Sequence, residues 1–183
     1  MLRAALFAGA LLFAPEAQAT TVKLMSLLEK TEACPVVVHG IIDRTEPRWQ
    51  VYGARVETVV TMTIVESIKG SFQPGDRIIF RQGGGTIDGF TQTAEGLSSF
   101  EEGEEVIMFL EPYLETYVPI GIGIGEYEVR NTPNGKYVFH DPKVAAVRFS
   151  SQQPMRIDQH PAMIPEPLAQ FLKRVRTYAQ SDR

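Results

Sequence analysis

This sequence predicts a mainly β protein: a closed or partly open antiparallel barrel of five or more strands, with a helix at each end. Three observations point there. Ala54 to Gln82 holds a long alternating stretch, a turn and a second apolar run. In it Val56, Thr58, Val60, Met62 and Ile64 fall on one face and Arg55, Glu57, Thr61 and Thr63 on the other, with only Val59 breaking the pattern. Such period-two alternation, rich in β-branched residues, fits a half-buried strand and no helix. Val106-Ile107-Met108-Phe109-Leu110 is apolar without alternation, as a strand covered on both faces would be. Apolar residues also recur at helical spacing near both ends. A solitary hairpin is marginal, and closing several strands into a ring removes their exposed edges.

Taken in order, residues 1–19 have the pattern of a cleaved secretory leader. Met1-Leu2-Arg3 is a short basic start, Ala4 to Ala14 an apolar core, and Ala17-Gln18-Ala19 a small-x-small cleavage site. The core is about half the ~20 residues that span a bilayer. The expected mature chain starts at Thr20, is periplasmic or secreted, and carries no membrane anchor. Residues 20–149 are expected to form the barrel domain with its N-terminal helix, 150–164 a linker, and 165–179 a docking helix.

The N-terminal helix is expected to be capped by Thr21, with Leu24, Leu27, Leu28 and Thr31 on one face, and to stop before Pro35. Val36 to Ile42 is a core strand, and Arg44 to Gly53, with Pro47 and Trp49, a polar connection. Lys69-Gly70 and Pro74-Gly75-Asp76 supply the turn before Ile78-Ile79-Phe80. Residues 83–99 lack strand periodicity and are expected to form a long loop. After the acidic turn Glu101–Glu105 come three shorter strands, Tyr117–Ile124, Glu126–Arg130 and Lys136–His140, the last two joined through Asn134-Gly135. Leu168, Phe171, Leu172, Val175 and Tyr178 form the inner stripe of the final helix.

Composition narrows the function. The formal charge is −4, and losing Arg3 and Glu16 with the leader leaves it unchanged. Without a basic block there is no nucleic-acid footprint. One cysteine, Cys34, cannot make an internal disulfide, and its apolar neighbours suggest a buried, inert thiol.

Gly83-Gly84-Gly85 is followed by Thr86-Ile87-Asp88, with neither the lysine nor the helix that a phosphate loop needs. His39, His140 and His160 are dispersed and lack metal-ligand spacing, and no Gly-x-Ser-x-Gly surrounds a serine. No cofactor or metal is implied, and no catalytic residue is assigned. The candidate binding residues are Gly83, Gly84, Gly85, Thr86, Asp88, Phe90, Thr91 and Gln92. There, glycines leave room for a partner's backbone, Phe90 offers an apolar contact, and the rest offer polar ones. The opposing view is a surface loop with Phe90 tucked into the core.

Several motifs occur in a particular order: Glu32-Ala33-Cys34, Val36-Val37-Val38-His39-Gly40, Val65-Glu66-Ser67-Ile68-Lys69-Gly70, Pro74-Gly75-Asp76, Gln82-Gly83-Gly84-Gly85, and Phe100-Glu101-Glu102-Gly103-Glu104-Glu105 before Val106–Leu110. As an ordered set they resemble a family of small secreted bacterial proteins of unassigned function. Their barrel is similar to the oligonucleotide/oligosaccharide-binding (OB) fold of netrin-like and tissue-metalloproteinase-inhibitor domains. The resemblance implies an OB-like barrel. It does not carry over the inhibitors' zinc-chelating N-terminal cysteine, since Thr20 stands at the expected mature terminus. The expected function is a non-catalytic binding module for a protein or glycan in the envelope or outside the cell. The rival is a secreted hydrolase with His39 or His140 and loop acids at the barrel mouth.

Overall fold

The computed structural model describes residues 25–50, 55–93, 96–121, 123–140 and 164–181. The expected leader, Thr21, Leu24, His160 and nearly all of the expected linker lie outside the described residues. Helix α1 (Leu27–Ala33) is capped by Ser26 rather than Thr21. The Glu29 N–H donates to Ser26 Oγ (3.2 Å) and the Ser26 N–H to Glu29 Oε2 (2.7 Å), a reciprocal capping box. Cys34, extended before Pro35, ends the helix as expected. The helix turns Lys30 and Thr31 inward and leaves Leu28 exposed.

The strands are β1 (Val36–Trp49), β2 (Val56–Lys69), β3 (Arg77–Gly83), β4 (Gly85–Ile87), β5 (Phe90–Gln92), β6 (Glu105–Tyr113), β7 (Thr116–Pro119), β8 (Glu126–Thr132), β9 (Gly135–Phe139) and β10 (Glu166–Pro167), before helix α2 (Leu168–Ser181). Five of them close a ring, β1-β2-β3-β7-β6 and back to β1. This is a mainly β, OB-like barrel with flanking helices, and its ring is unevenly closed. All its pairings are antiparallel except β3–β7, a parallel contact at Phe80 and Tyr117 only. Strands β8, β9 and β10 extend the sheet outward from β6.

The alternation in β2 sorts as expected: Val60, Met62 and Ile64 point into the barrel with Phe80, Val106 and Leu110. Strand β6 serves both sides. Val106, Met108 and Leu110 fill the barrel, while Ile107 and Phe109 join Val37, Tyr127 and Val138 in an outer core. Phe171, Leu172 and Val175 of α2 cover that outer core. Each buried side chain of this size contributes ~1.5–3 kcal/mol of transfer free energy.

Three expectations need correction. The supposed connection from Arg44 onward is strand as far as Trp49, because Arg44–Trp49 pair with Thr61–Val56 of β2. Pairing with β6 stops at Ile41, so the outer half of β1 tolerates Pro47 and polar residues as an edge would. Residues 121 and 123–125 are turns and not strand, since Gly121 (φ 57°) and Gly123 (φ 78°) take left-handed backbone. The backbone is closely approached there, as a Cβ at Gly123 would lie 2.0 Å from the Gly96 carbonyl oxygen. Within the expected loop 83–99 sits a two-stranded hairpin, β4–β5, pairing Gly85 with Gln92, Thr86 with Thr91 and Ile87 with Phe90. Its turn, Asp88 (φ 51°) and Gly89 (φ 77°), has the positive φ values at both centres that a two-residue hairpin favours.

Candidate functional site

The β4–β5 hairpin folds back over the barrel mouth and walls off a cleft of about 410 Å³. Its floor and walls come from β1 (Thr45, Pro47), β2 (Thr58), β3 and the following glycines (Gln82 to Gly84), the hairpin (Gly85, Thr86, Thr91, Gln92) and the return segment Leu97 to Phe100. The hairpin is tied down by short bonds. Gly84 N–H donates to Val56 O (2.8 Å), Val56 N–H to Gln92 Oε1 (2.9 Å), and Thr58 Oγ1 to Gly84 O (2.8 Å). A Cβ on Gly85 would stand 2.6 Å from Thr58 Oγ1, so only glycine lets the hairpin lie this close to β2. Opposite, Gln82 Nε2 donates to Ser98 O (2.7 Å), and the exposed hydroxyls of Thr86 and Thr91 meet at 2.9 Å.

Of the residues singled out from sequence, Gly83, Gly84, Gly85, Thr86, Thr91 and Gln92 line this cleft, whereas Asp88 and Phe90 do not. Asp88 is an exposed turn residue. Phe90 is 46% exposed and lies against Trp49, itself 42% exposed, so it is not tucked into the core. Sequence patterning does not reveal Trp49, Thr45, Pro47, Gln82 and Ser98, because their segments read as connection, strand and loop. The available signal was Asp88-Gly89 between Ile87 and Phe90, which reads as a hairpin turn and would have folded the loop onto β1.

The histidines occupy other places. His39, buried on the outer face of β1, meets Glu105 Oε1 through Nε2 at 2.8 Å, and Lys136 Nζ donates to both Glu105 oxygens (2.9 and 2.6 Å). Burial by itself would raise the Glu105 carboxyl. The hydrogen bonds from Lys136 and His39 outweigh it and hold the group below its ordinary value. His140 is buried, stacks on Tyr127 (4.3 Å between ring centroids) and donates from Nε2 to Ile124 O (3.0 Å).

Lys30 shares that neighbourhood: fully buried, it donates to Ile124 O (2.9 Å) and to the Tyr127 hydroxyl. Burial lowers its ammonium to about 7 and raises the Tyr127 phenol. Cys34 is wholly buried, and its thiol is pushed up to about 12, first by burial and then by the Glu111 carboxylate. Among the described residues no three His, Cys, Asp or Glu side chains converge as a metal site would require.

In comparison with known proteins, no family model matches the chain and no match to a curated protein reaches significance.

Proposed function

We propose that this chain is an exported, non-catalytic binding module that holds a protein or glycan partner of the envelope or extracellular space at the barrel mouth. The observation behind this is the cleft beneath the β4–β5 hairpin with an exposed aromatic pair beside it. Concave sites with a few placed polar groups and an aromatic anchor are where ligands are commonly held. The resemblance of the ordered motifs to those of small secreted bacterial proteins, and the leader pattern of residues 1–19, support the exported half of the proposal. Exported material should start at Thr20 by intact mass, and retention of residues 1–19 would overturn export.

A second reading has one observation in its favour, the His39–Glu105 pair at 2.8 Å, which is how an acid orients a catalytic imidazole. Yet Glu105 is shared with Lys136, and among the described residues neither a hydroxyl nor a thiol is hydrogen-bonded to His39. The two readings separate experimentally. Thr86→Arg with Thr91→Arg should abolish retention of envelope or extracellular ligands on immobilised protein without shifting the melting curve. A hydrolytic activity lost in His39→Ala, with folding intact, would decide for the enzyme.

A further inference from the structure

Resting on that binding reading, we propose that the cleft and the adjoining Trp49–Phe90 pair take an uncharged, hydroxyl-rich oligosaccharide. Charge is the first argument. No described residue lining the cleft carries a charged side chain, in a chain where 22% of residues are charged. The nearby ions are already engaged with one another: Glu57 Oε1 takes Arg48 Nε at 2.8 Å and lies 3.5 Å from Arg81. A nucleic acid or polyanion would need cations along its path. What the walls offer instead are threonine hydroxyls and glutamine amides, groups that both donate and accept hydrogen bonds, as sugar hydroxyls do. Gln82 is engaged with Ser98 through Nε2, and its Oε1 is buried without a hydrogen-bond partner among the described residues.

Shape is the second argument. Trp49 lies two residues beyond the lining Pro47 on β1, hence on the same face, and its ring packs against Phe90. The polar cleft therefore continues into a half-exposed aromatic surface. A pyranose ring suits such a surface, with C–H groups on one face to pack on an aromatic and hydroxyls at its edge for the neighbouring cleft. Strand addition at β5 is limited to the short edge from Phe90 to Gln92.

Trp49 is the only tryptophan, so its emission reports on this place alone. The test titrates the protein with hexasaccharides of α-1,4-glucose, β-1,4-glucose and β-1,4-N-acetylglucosamine, with hexagalacturonate and a hexapeptide mixture as charged and peptidic comparisons. At least one neutral hexasaccharide should give a saturable emission change that is insensitive to salt. Thr91→Arg, and independently Thr86→Arg, should weaken it about tenfold or more with an unchanged melting curve. Trp49→Ala, followed by calorimetry, should weaken it to the same degree. If only hexagalacturonate or peptide binds, and does so at these residues, the glycan class is wrong and the binding face stands. If no probe binds by emission or calorimetry, the glycan proposal is overturned, and the broader binding reading falls only if the immobilised protein also retains no envelope or extracellular ligand.

Discussion

Trp49 at the end of β1 and Phe90 at the start of β5 lie against each other with ring centroids 5.2 Å apart and planes tilted by 34°. The contact joins the hairpin to the barrel rim while leaving both rings substantially open to solvent. Phe90→Ala should therefore change the emission of Trp49 but cost no more than about 1 kcal/mol of stability. Fluorescence spectra and urea midpoints of the same sample check both parts, and a cooperative collapse of the fold would place Phe90 in the core after all.

Helix α2 is held by apolar burial. Leu172 is 6% exposed, whereas Lys173 beside it faces solvent. Leu172→Ala should cost ~2–5 kcal/mol and Lys173→Ala about 0.5 kcal/mol or less. For a chain of this size each kcal/mol corresponds to about 2–4 °C in the melting temperature. Differential scanning calorimetry of the two variants is the check.

Cys34 should behave as a shielded thiol. With no exposed surface and a thiol pushed up to about 12, almost no thiolate is available in the native state. Labelling with a disulfide reagent should be slow in native buffer and complete in guanidinium. Rapid native labelling would show that the packing between α1 and β1 opens readily.

Lys30 ties stability to pH. Its ammonium falls from 10.5 when free to about 7 when folded, so the native state binds fewer protons than the unfolded chain across that interval. Stability must therefore rise with pH from about 7 upward, as the cost of burying the charged form is lifted. Cys34 and Tyr127 are raised by burial and act in the opposite sense above their unfolded values of 9.0 and 10.0. The rise should thus be clearest between about pH 7 and about pH 9. Lys30→Met should flatten this part of a urea-midpoint profile, and an identical slope in the variant would remove Lys30 from the account.

How much of this could be read in the sequence depends on how each segment is buried. The alternation of β2, the unbroken apolar run of β6 and the stripe of α2 were legible, because their burial is what creates the pattern. The outer half of β1 was not, since it pairs on one side only and keeps polar residues. Hairpin β4–β5 escaped because three-residue strands are too short to show a period, although Asp88-Gly89 marked its turn. The cap is readable in Ser26-x-x-Glu29, a capping-box spacing that Thr21, followed three residues later by Leu24, does not have. Lys30 was hidden for a different reason. A lysine on a short helix is assigned to solvent by any hydrophobic pattern, and only the Tyr127 hydroxyl and Ile124 carbonyl, both remote in sequence, account for its burial. At the site, glycines and hydroxyls marked the cleft's hairpin wall, while the strand wall with Trp49 became visible only once β1 was extended.

Strand β6 has a bearing on how the molecule comes apart. Its alternate side chains belong to two different cores, and its edges pair with β1, β7 and β8. Neither the ring nor the outer layer can be released while the other keeps this strand in place. Opening of one should then require opening of both, so the two layers form one cooperative unit. The amides of Val106 to Leu110 should accordingly exchange with solvent only through global unfolding, whereas those of the β4–β5 hairpin should exchange through local opening.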